Sequence, residues 1–95
     1  MQISSSSNVA TISGNIKTVS DFQEIKSTID LMIQQHKSIT LNITDSLSIT
    51  SSVIGYFNKL VLKDKIALNM NIGNTKLIEL INDLNLTSTF KARKA

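Results

Sequence analysis

The sequence contains no cysteine, so disulfides, thiolate metal sites and thiol-based redox chemistry are all excluded. Its four aromatic residues are too few to form a platform for stacking nucleic-acid bases. No apolar run approaches the ~20 residues of a membrane span, and the amino-terminal residues MQISSSSN lack the charged and apolar regions of a signal peptide. These absences favour a cytoplasmic protein without a membrane span, whose core is built from isoleucine, leucine and valine.

Residues typical of catalytic and nucleotide-binding sites are also scarce. The three glycines are isolated, and GNTK (73–76) lacks the upstream glycine of a phosphate-binding loop. The only histidine, His36, stands beside Lys37 at the end of a predicted helix, where an imidazole near free carbonyls is a common feature. The carboxylates are scattered, although a dyad of distant residues such as Asp45 and Asp83 stays open. We expect no catalytic residue, no metal site and no cofactor.

Basic residues outnumber acidic ones, but the excess lies at one end of the chain. Three of the ten lysines and arginines, Lys91, Arg93 and Lys94, fall in the last five positions, and residues 1–90 carry seven basic and seven acidic side chains. A charged terminus is typically a solvated, frayed end rather than a phosphate-binding face. The 95 residues therefore predict a single domain over 1–95 with a frayed basic tail at 91–95 and no nucleic-acid partner.

The first part of the chain predicts two strands and a helix. NVATISG (8–14) is typical of a partly buried strand, and a possible edge strand over 1–4 with a turn through the serines at 4–7 precedes it. A helical spacing of apolar residues starts after Ser20. Ser20 and Gln23 fit a capping box, which predicts a helix that begins near Asp21. Its buried face comprises Phe22, Ile25, Ile29, Met32 and Ile33.

Two further strand and helix pairs follow. SITLNIT (38–44) and IALNMNI (66–72) alternate apolar with polar residues, as half-buried strands do. The helix between them ends near Lys63, and its apolar stripe comprises Val53, Ile54, Phe57, Leu60 and Val61. Asn74 is suited to cap a third helix. The buried stripe of that helix comprises Leu77, Leu80, Ile81 and Leu84. LTSTFKA (86–92) predicts either a short strand or a segment that packs Leu86 and Phe90 on the core.

This order predicts a small α/β fold, with a mixed, mainly parallel sheet of four to five strands and about three to four helices. Strands joined by single crossover helices run parallel. Right-handed crossovers bring the loops after the carboxyl ends of the strands to one rim, where open α/β sheets usually meet ligands or partners. SITSSVIGYFNKL (48–60), which contains three successive hydroxyl residues at 50–52, is expected on that rim.

Four segments together resemble the STAS domain, the module of bacterial anti-sigma-factor antagonists and of stressosome and transporter regulators. They are VATISGNI (9–16), KSITLNITDSLSITSSVIGYFNKL (37–60), IALNMNI (66–72) and LIELINDLNLTSTF (77–90). The resemblance covers about residues 9–90. It rests on the order of the elements, on the spacing from the strand at Ile39 to the helix at Ser51, and on the leucine-rich ending before Phe90. It implies a STAS-like fold.

The resemblance also implies a modification site. In STAS domains the loop before the second helix reads Asp-Ser-Ser-Gly or a close variant, and its first serine is phosphorylated by an anti-sigma factor that is also a kinase. The motif falls on TSSV (50–53), which makes Ser51 the expected phosphoacceptor, with Ser52 and Thr50 as lesser alternatives. Thr50 stands where the family has Asp, Val53 where it has glycine, and Lys17 where it has an acidic residue. Thr50 is also a good helix N-cap, a role that needs no regulatory meaning.

By this resemblance the protein is a non-enzymatic regulatory module that docks on an anti-sigma factor or switch kinase and is released by serine phosphorylation. The expected partner-binding residues are Thr50, Ser51, Ser52, Ile54, Gly55 and Asn58. The alternative is a constitutive STAS subunit of a larger assembly, such as the partner of the ATPase in an ABC-type lipid transporter, with no phosphorylation switch. The threonine at position 50 favours this alternative slightly.

Overall fold

The computed structural model describes residues 1–95, which form a five-stranded sheet and four helices. The strands are β1 (Gln2–Ser6), β2 (Val9–Ser13), β3 (Ser38–Ile43), β4 (Ala67–Ile72) and β5 (Ala92–Lys94). The helices are α1 (Val19–Met32), α2 (Ser51–Leu62), α3 (Thr75–Asp83) and α4 (Thr87–Phe90). The predicted small α/β fold is confirmed. None of the helices has the length and hydropathy needed to cross a membrane.

The sheet order follows the chain, β1-β2-β3-β4-β5, so every crossover moves in the same direction. β1 pairs antiparallel with β2, and the remaining neighbours are parallel. Because right-handed crossovers that all step the same way place their helices on the same side, the four helices cover one face of the sheet. The burial of β3 and β4 alternates accordingly, with Ile39, Leu41 and Ile43 fully enclosed on the helix side.

The core lies between this face and the helices. The predicted strand residues Ile66, Leu68, Met70 and Ile72 are buried, as are Leu77 and Ile81 of α3. Phe57 of α2 meets Phe90 edge to face at a centroid distance of 5.9 Å, which closes the core beside β5. Leu84 was expected in the buried stripe of α3, but it is 45% exposed because it follows the last turn of the helix.

The start of α1 differs from the prediction. The N-cap is Thr18, whose Oγ1 accepts from the Asp21 N–H at 3.0 Å, while Asp21 Oδ2 accepts from the N–H groups of Lys17 and Thr18. The predicted capping box of Ser20 and Gln23 is therefore wrong, and Ser20 lies inside the first turn. The Asp21 carboxylate thus satisfies two backbone N–H groups at this end of the helix, and these two hydrogen bonds lower the pKa of Asp21.

The starts of α2 and α3 agree with the prediction. Thr50 caps α2, and its Oγ1 accepts from the Val53 N–H at 3.3 Å. Asn74 caps α3, and its Oδ1 accepts from the Lys76 N–H at 2.8 Å. Each cap satisfies one of the N–H groups that a helix start leaves without a partner.

Both ends of the chain are more ordered than expected. β1 runs through Ser6, so the predicted turn over residues 4–7 is replaced by a tighter one at Ser7, which has φ +55°, and Asn8. The segment 86–92 forms the short helix α4, after which Lys91 turns with φ +48° into β5. The frayed tail predicted for 91–95 is wrong where β5 pairs with β4, because these residues complete the sheet.

Candidate functional site

Three loops form the rim at the carboxyl ends of the parallel strands, and they are fastened to one another. They follow β2, β3 and β4 and cover residues 14–18, 44–50 and 73–74. The Gly14 N–H donates to Asp45 Oδ1 at 2.7 Å, and the Leu47 N–H donates to Asn15 Oδ1 at 2.8 Å. The stretch 48–60 begins on this rim, where its hydroxyl residues were expected.

Ser46 lies at the centre of the rim and is the only polar side chain that is fully buried. Its Oγ accepts from the Ile16 N–H at 3.0 Å and donates to the Ser48 carbonyl at 2.7 Å. Ser48 Oγ in turn donates to the Ile16 carbonyl at 3.0 Å. The loop that leads to Thr50 is therefore tied to the loop after β2 through buried hydrogen bonds, which are costly to break. Sequence patterns gave no sign of Ser46.

Gly73 allows the third loop to approach closely. A Cβ at this position would lie 2.0 Å from the carbonyl oxygen of Thr44, closer than any side chain permits. The Gly73 N–H also donates to the Ile43 carbonyl at 2.8 Å. The residue that ends β4 in the sequence pattern therefore has a steric role, since it lets the loops after β3 and β4 meet.

The three successive hydroxyl residues differ in exposure and contacts. Thr50 is half-buried, with the extended backbone of an N-cap at φ −87° and ψ 159°. Ser51 and Ser52, the first two helical residues, are exposed. The N–H groups of these two residues are among those without an intrahelical acceptor. Thr50 thus has the predicted cap role, while Ser51 is accessible to a modifying enzyme.

The electrostatic surroundings of the α2 start favour a negative group. No acidic residue lies in its first turn, whereas Asp21 occupies the first turn of α1. A cavity of about 260 Å³ separates the two helix starts, and Lys17, Thr50 and Ser52 are among its lining residues. The two positions that depart from the acidic residues of the STAS pattern, Lys17 and Thr50, therefore line one cavity, whose lining includes the Lys17 side chain and no carboxylate.

The outer side of α2 forms a continuous exposed stripe, here called the α2 stripe. It comprises Ser51, Ser52, Gly55, Lys59 and Leu62. Of the other predicted partner-binding residues, Thr50, Ile54 and Asn58 are half-buried beside it. Leu62 is 63% exposed and was not predicted. A Cβ on Gly55 would meet no atom within 4 Å, so nothing inside the protein requires a glycine there.

A polar contact beneath the α2 stripe fixes α2 on α1. The Tyr56 hydroxyl, in a side chain only 5% exposed, donates to Asp30 Oδ1 at 2.5 Å, and Lys26 Nζ lies 2.8 Å from Asp30 Oδ2. Burial, together with the adjacent carboxylate, raises the pKa of Tyr56. Burial tends to raise the pKa of Asp30, but the hydrogen bonds from Lys26 and Tyr56 outweigh it and leave that pKa below its usual value. Periodicity missed this pair because 26 residues separate its members.

The single histidine lies far from Ser51. α1 starts at the rim and its 14 residues extend for about 21 Å, so His36, which follows α1, is at the opposite end of the sheet. Asp45 lies on the rim, whereas Asp83 ends α3 on the far side, so these two carboxylates form no dyad. No group of three or more His, Asp or Glu side chains is close enough to hold a metal ion.

Comparison of the chain with models of known protein families found no match, and no match was found among curated proteins. The resemblance to STAS domains, the phosphoacceptor role of Ser51 and the set of docking residues therefore stay predictions, which rest on the sequence and on the geometry described above.

Proposed function

We propose that this protein is a cytoplasmic, non-enzymatic regulatory module of the STAS type. It docks on an anti-sigma factor that is also a serine kinase, through the rim around Ser51 and the α2 stripe. Phosphorylation of Ser51 releases the partner. The observation that carries the proposal is the exposed Ser51 at the first position of a capped helix, at the end of a continuous exposed stripe.

The α2 stripe has the chemistry of a docking surface. It contains an exposed leucine, two hydroxyls and a glycine, and its only charged side chain is Lys59. Gly55 supports this role because a glycine inside an exposed helix costs about 0.5–1 kcal/mol relative to alanine, and no internal contact explains it. A partner backbone that packs directly on the helix does explain it.

A phosphate on Ser51 is stabilised in the free protein and destabilises the complex. It adds a charge of about −1.5 to −2, which the free N–H groups and the dipole of the α2 start stabilise. Lys17 lies on the same rim and adds a positive charge. In the complex, the same phosphate must lose its hydration beside the docked surface, which weakens binding unless the partner provides a cation.

Phosphorylation is tested by incubating the protein with ATP and the anti-sigma kinase encoded in the same genome, and then mapping modified residues by mass spectrometry. We expect phosphate on Ser51 and none on the Ser51→Ala variant. Ser88→Ala is the matched control, because Ser88 is exposed on α4, away from the rim. Modification of other residues with none at Ser51 would remove the basis of the switch.

The second candidate function is a constitutive STAS subunit bound to a transporter ATPase. The observation that favours it is Thr50, which caps α2 without placing a carboxylate beside Ser51. A pull-down distinguishes the candidates, since the stable companion would then be an ATPase. The affinity of this ATPase would be equal for the wild-type protein and for the phosphate mimic Ser51→Asp.

A further inference from the structure

One edge of the sheet has its backbone open along its full length. β1 pairs only with β2, so those of its N–H and C=O groups that point away from β2 have no strand partner. β1 and β2 are joined by the two-residue turn at Ser7 and Asn8, so the closing pair, Ser6 with Val9, exchanges both of its hydrogen bonds. Hydrogen-bonded pairs alternate along the hairpin. Ile3 and Ser5 therefore direct their N–H and C=O groups away from the sheet.

The two edges of the sheet differ in how they are protected. β5 has three residues, and two of them, Arg93 and Lys94, are positively charged. Short length and basic side chains are common features that prevent one sheet edge from pairing with another. β1 has five residues, QISSS, and contains no charge, no proline and no bulge. Only the β1 edge is open to an added strand.

A groove runs beside β1, between this strand and the outer side of α1. Two cavities of about 500 Å³ lie along it, one lined by Ile3 and Glu24 and the other lined by Ser5, Leu31 and His36. Leu31 is 67% exposed, although its neighbour Met32, the last residue of α1, is buried. The open strand and this groove form one continuous surface, here called the β1 edge.

We infer that two copies of this protein pair through their β1 edges, as antiparallel strands at the centre of a continuous ten-stranded sheet. An antiparallel pair of identical strands is self-complementary under a two-fold axis, and no charge on β1 opposes it. The Glu24 end of one groove then meets the end lined by Leu31 and His36 in the other copy. Leu31 covers the apolar Ile3 region of its partner, and Glu24 faces an imidazole donor.

The size of the β1 edge indicates a weak dimer. Five residues extend for about 17 Å, and a layer of strand and helix is about 15–20 Å high, which gives roughly 300 Å² of flat area on each copy. Two such faces bury roughly 600 Å² in total, less than the ~1,200–2,000 Å² of stable specific interfaces, so we expect a weak dimer that dissociates on dilution below the high micromolar range.

The pairing leaves the proposed docking surface free. α2 packs over β4 and beside α1, whereas β1 is the edge strand on the far side of β2. A dimer joined at β1 therefore presents two α2 stripes, one on each half. Such an arrangement binds a dimeric partner more tightly than a single copy does, through the increased effective concentration of the second site. The inference does not depend on Ser51, and it stands if the proposed switch fails.

Sedimentation velocity over a concentration series tests the pairing with the purified full chain. We expect a species of twice the 10.4 kDa chain mass that grows with concentration. Ser5→Pro removes an outward N–H and leaves the bonds to β2 intact, so it should remain folded by circular dichroism and lower the dimer association constant at least tenfold. Ser5→Ala keeps the N–H and should dimerise like the wild type.

Ser5→Lys provides a second variant that does not depend on proline, since two lysines at the paired edges repel, and it should also weaken the dimer. A wild-type protein that stays monomeric up to millimolar concentration would overturn the inference. Undiminished dimerisation of both Ser5→Pro and Ser5→Lys would overturn it as well, because the contact would then lie elsewhere.

Discussion

At the residue scale, the geometry of the rim depends on side chains that are not expected to touch a partner. Ser46 is buried and joins two loops, so removing its hydroxyl leaves the Ile16 N–H without an acceptor. We predict that Ser46→Ala lowers the free energy of unfolding by about 1–3 kcal/mol, measured by urea denaturation. Ser88→Ala is the exposed control and should change it by less than about 0.5 kcal/mol. Equal stabilities for the two variants would show that these hydrogen bonds contribute little.

Substitution of two glycines by alanine is expected to change the free energy of unfolding in opposite directions. Gly73→Ala places a methyl group against the Thr44 carbonyl and should lower the free energy of unfolding by about 2 kcal/mol or more. Gly55→Ala meets no atom and should raise it by about 0.5–1 kcal/mol, because alanine favours the helix. Thermal unfolding of both variants measures the difference.

The same Gly55→Ala variant separates stability from docking. If a partner packs on the α2 stripe, the added methyl group weakens its binding although the free protein is more stable. A variant that is both more stable and an equally good binder would place the partner contact away from Gly55.

At the element scale, α2 is held on α1 by Tyr56 and Asp30, which makes this contact sensitive to acid. The pKa of Asp30 is lowered by folding, so its contribution is complete above its ordinary value of 3.8 and is lost as the pH falls through the lower folded value. We predict that Tyr56→Phe lowers the free energy of unfolding by about 1 kcal/mol at pH 7, a figure reduced because Asp30 is partly exposed.

The expected difference between Tyr56→Phe and the wild type shrinks as the pH falls below 3.8 and through the lower pKa of folded Asp30, because the carboxylate becomes protonated. Chemical denaturation at pH 7, 5, 3 and 2 measures it. A difference that stays constant down to pH 2 would mean that Tyr56 acts through packing, for example on Phe22 at a centroid distance of 6.3 Å, and not through the carboxylate.

The elements that the sequence predicts well are those with strong local patterns. β3, β4, α2 and α3 show clear periodicity or a single possible cap, and their bounds agree with the structure to within one or two residues. The sequence predicts the start of α1 at a capping box of Ser20 and Gln23, whereas the structure forms the box of Thr18 and Asp21 two residues earlier. The extent of β1 is set by its hairpin pairing with β2, and β5 exists through its pairing with β4, and apolar periodicity reports neither.

In the candidate site, too, the sequence predicts the features that depend on local patterns and misses those that depend on distant contacts. The position of Ser51 on the rim and the Thr50 cap follow from the order of elements and from one residue preference. The contacts that fix the rim and that hold α2 on α1 join residues about 30 positions apart, as in Ser46 with Ile16 on the rim and Tyr56 with Asp30 between the helices. Such contacts depend on how the crossovers bring loops together in space, so no single stretch of sequence shows them.

At the scale of the whole molecule, the helices cover one face of the sheet and leave the other to short polar side chains, as in the pair of Asn42 and Asn71 joined at 2.9 Å. The proposed contacts use other parts of the surface, the α2 stripe on the helix side and the β1 edge at one end of the sheet. Because they are separate, variants in one leave the other intact, and regulation and pairing are separately measurable.

The measurement that tests the central claim most directly is the affinity of the anti-sigma kinase for the protein with and without phosphate on Ser51, by isothermal titration calorimetry. We predict at least a tenfold weaker complex for the phosphorylated protein and for Ser51→Asp, with Ser88→Asp as the charge-matched control that binds like the wild type. Equal affinities for the unmodified protein, the Ser51-phosphorylated protein and the Ser51→Asp variant would contradict the proposed switch.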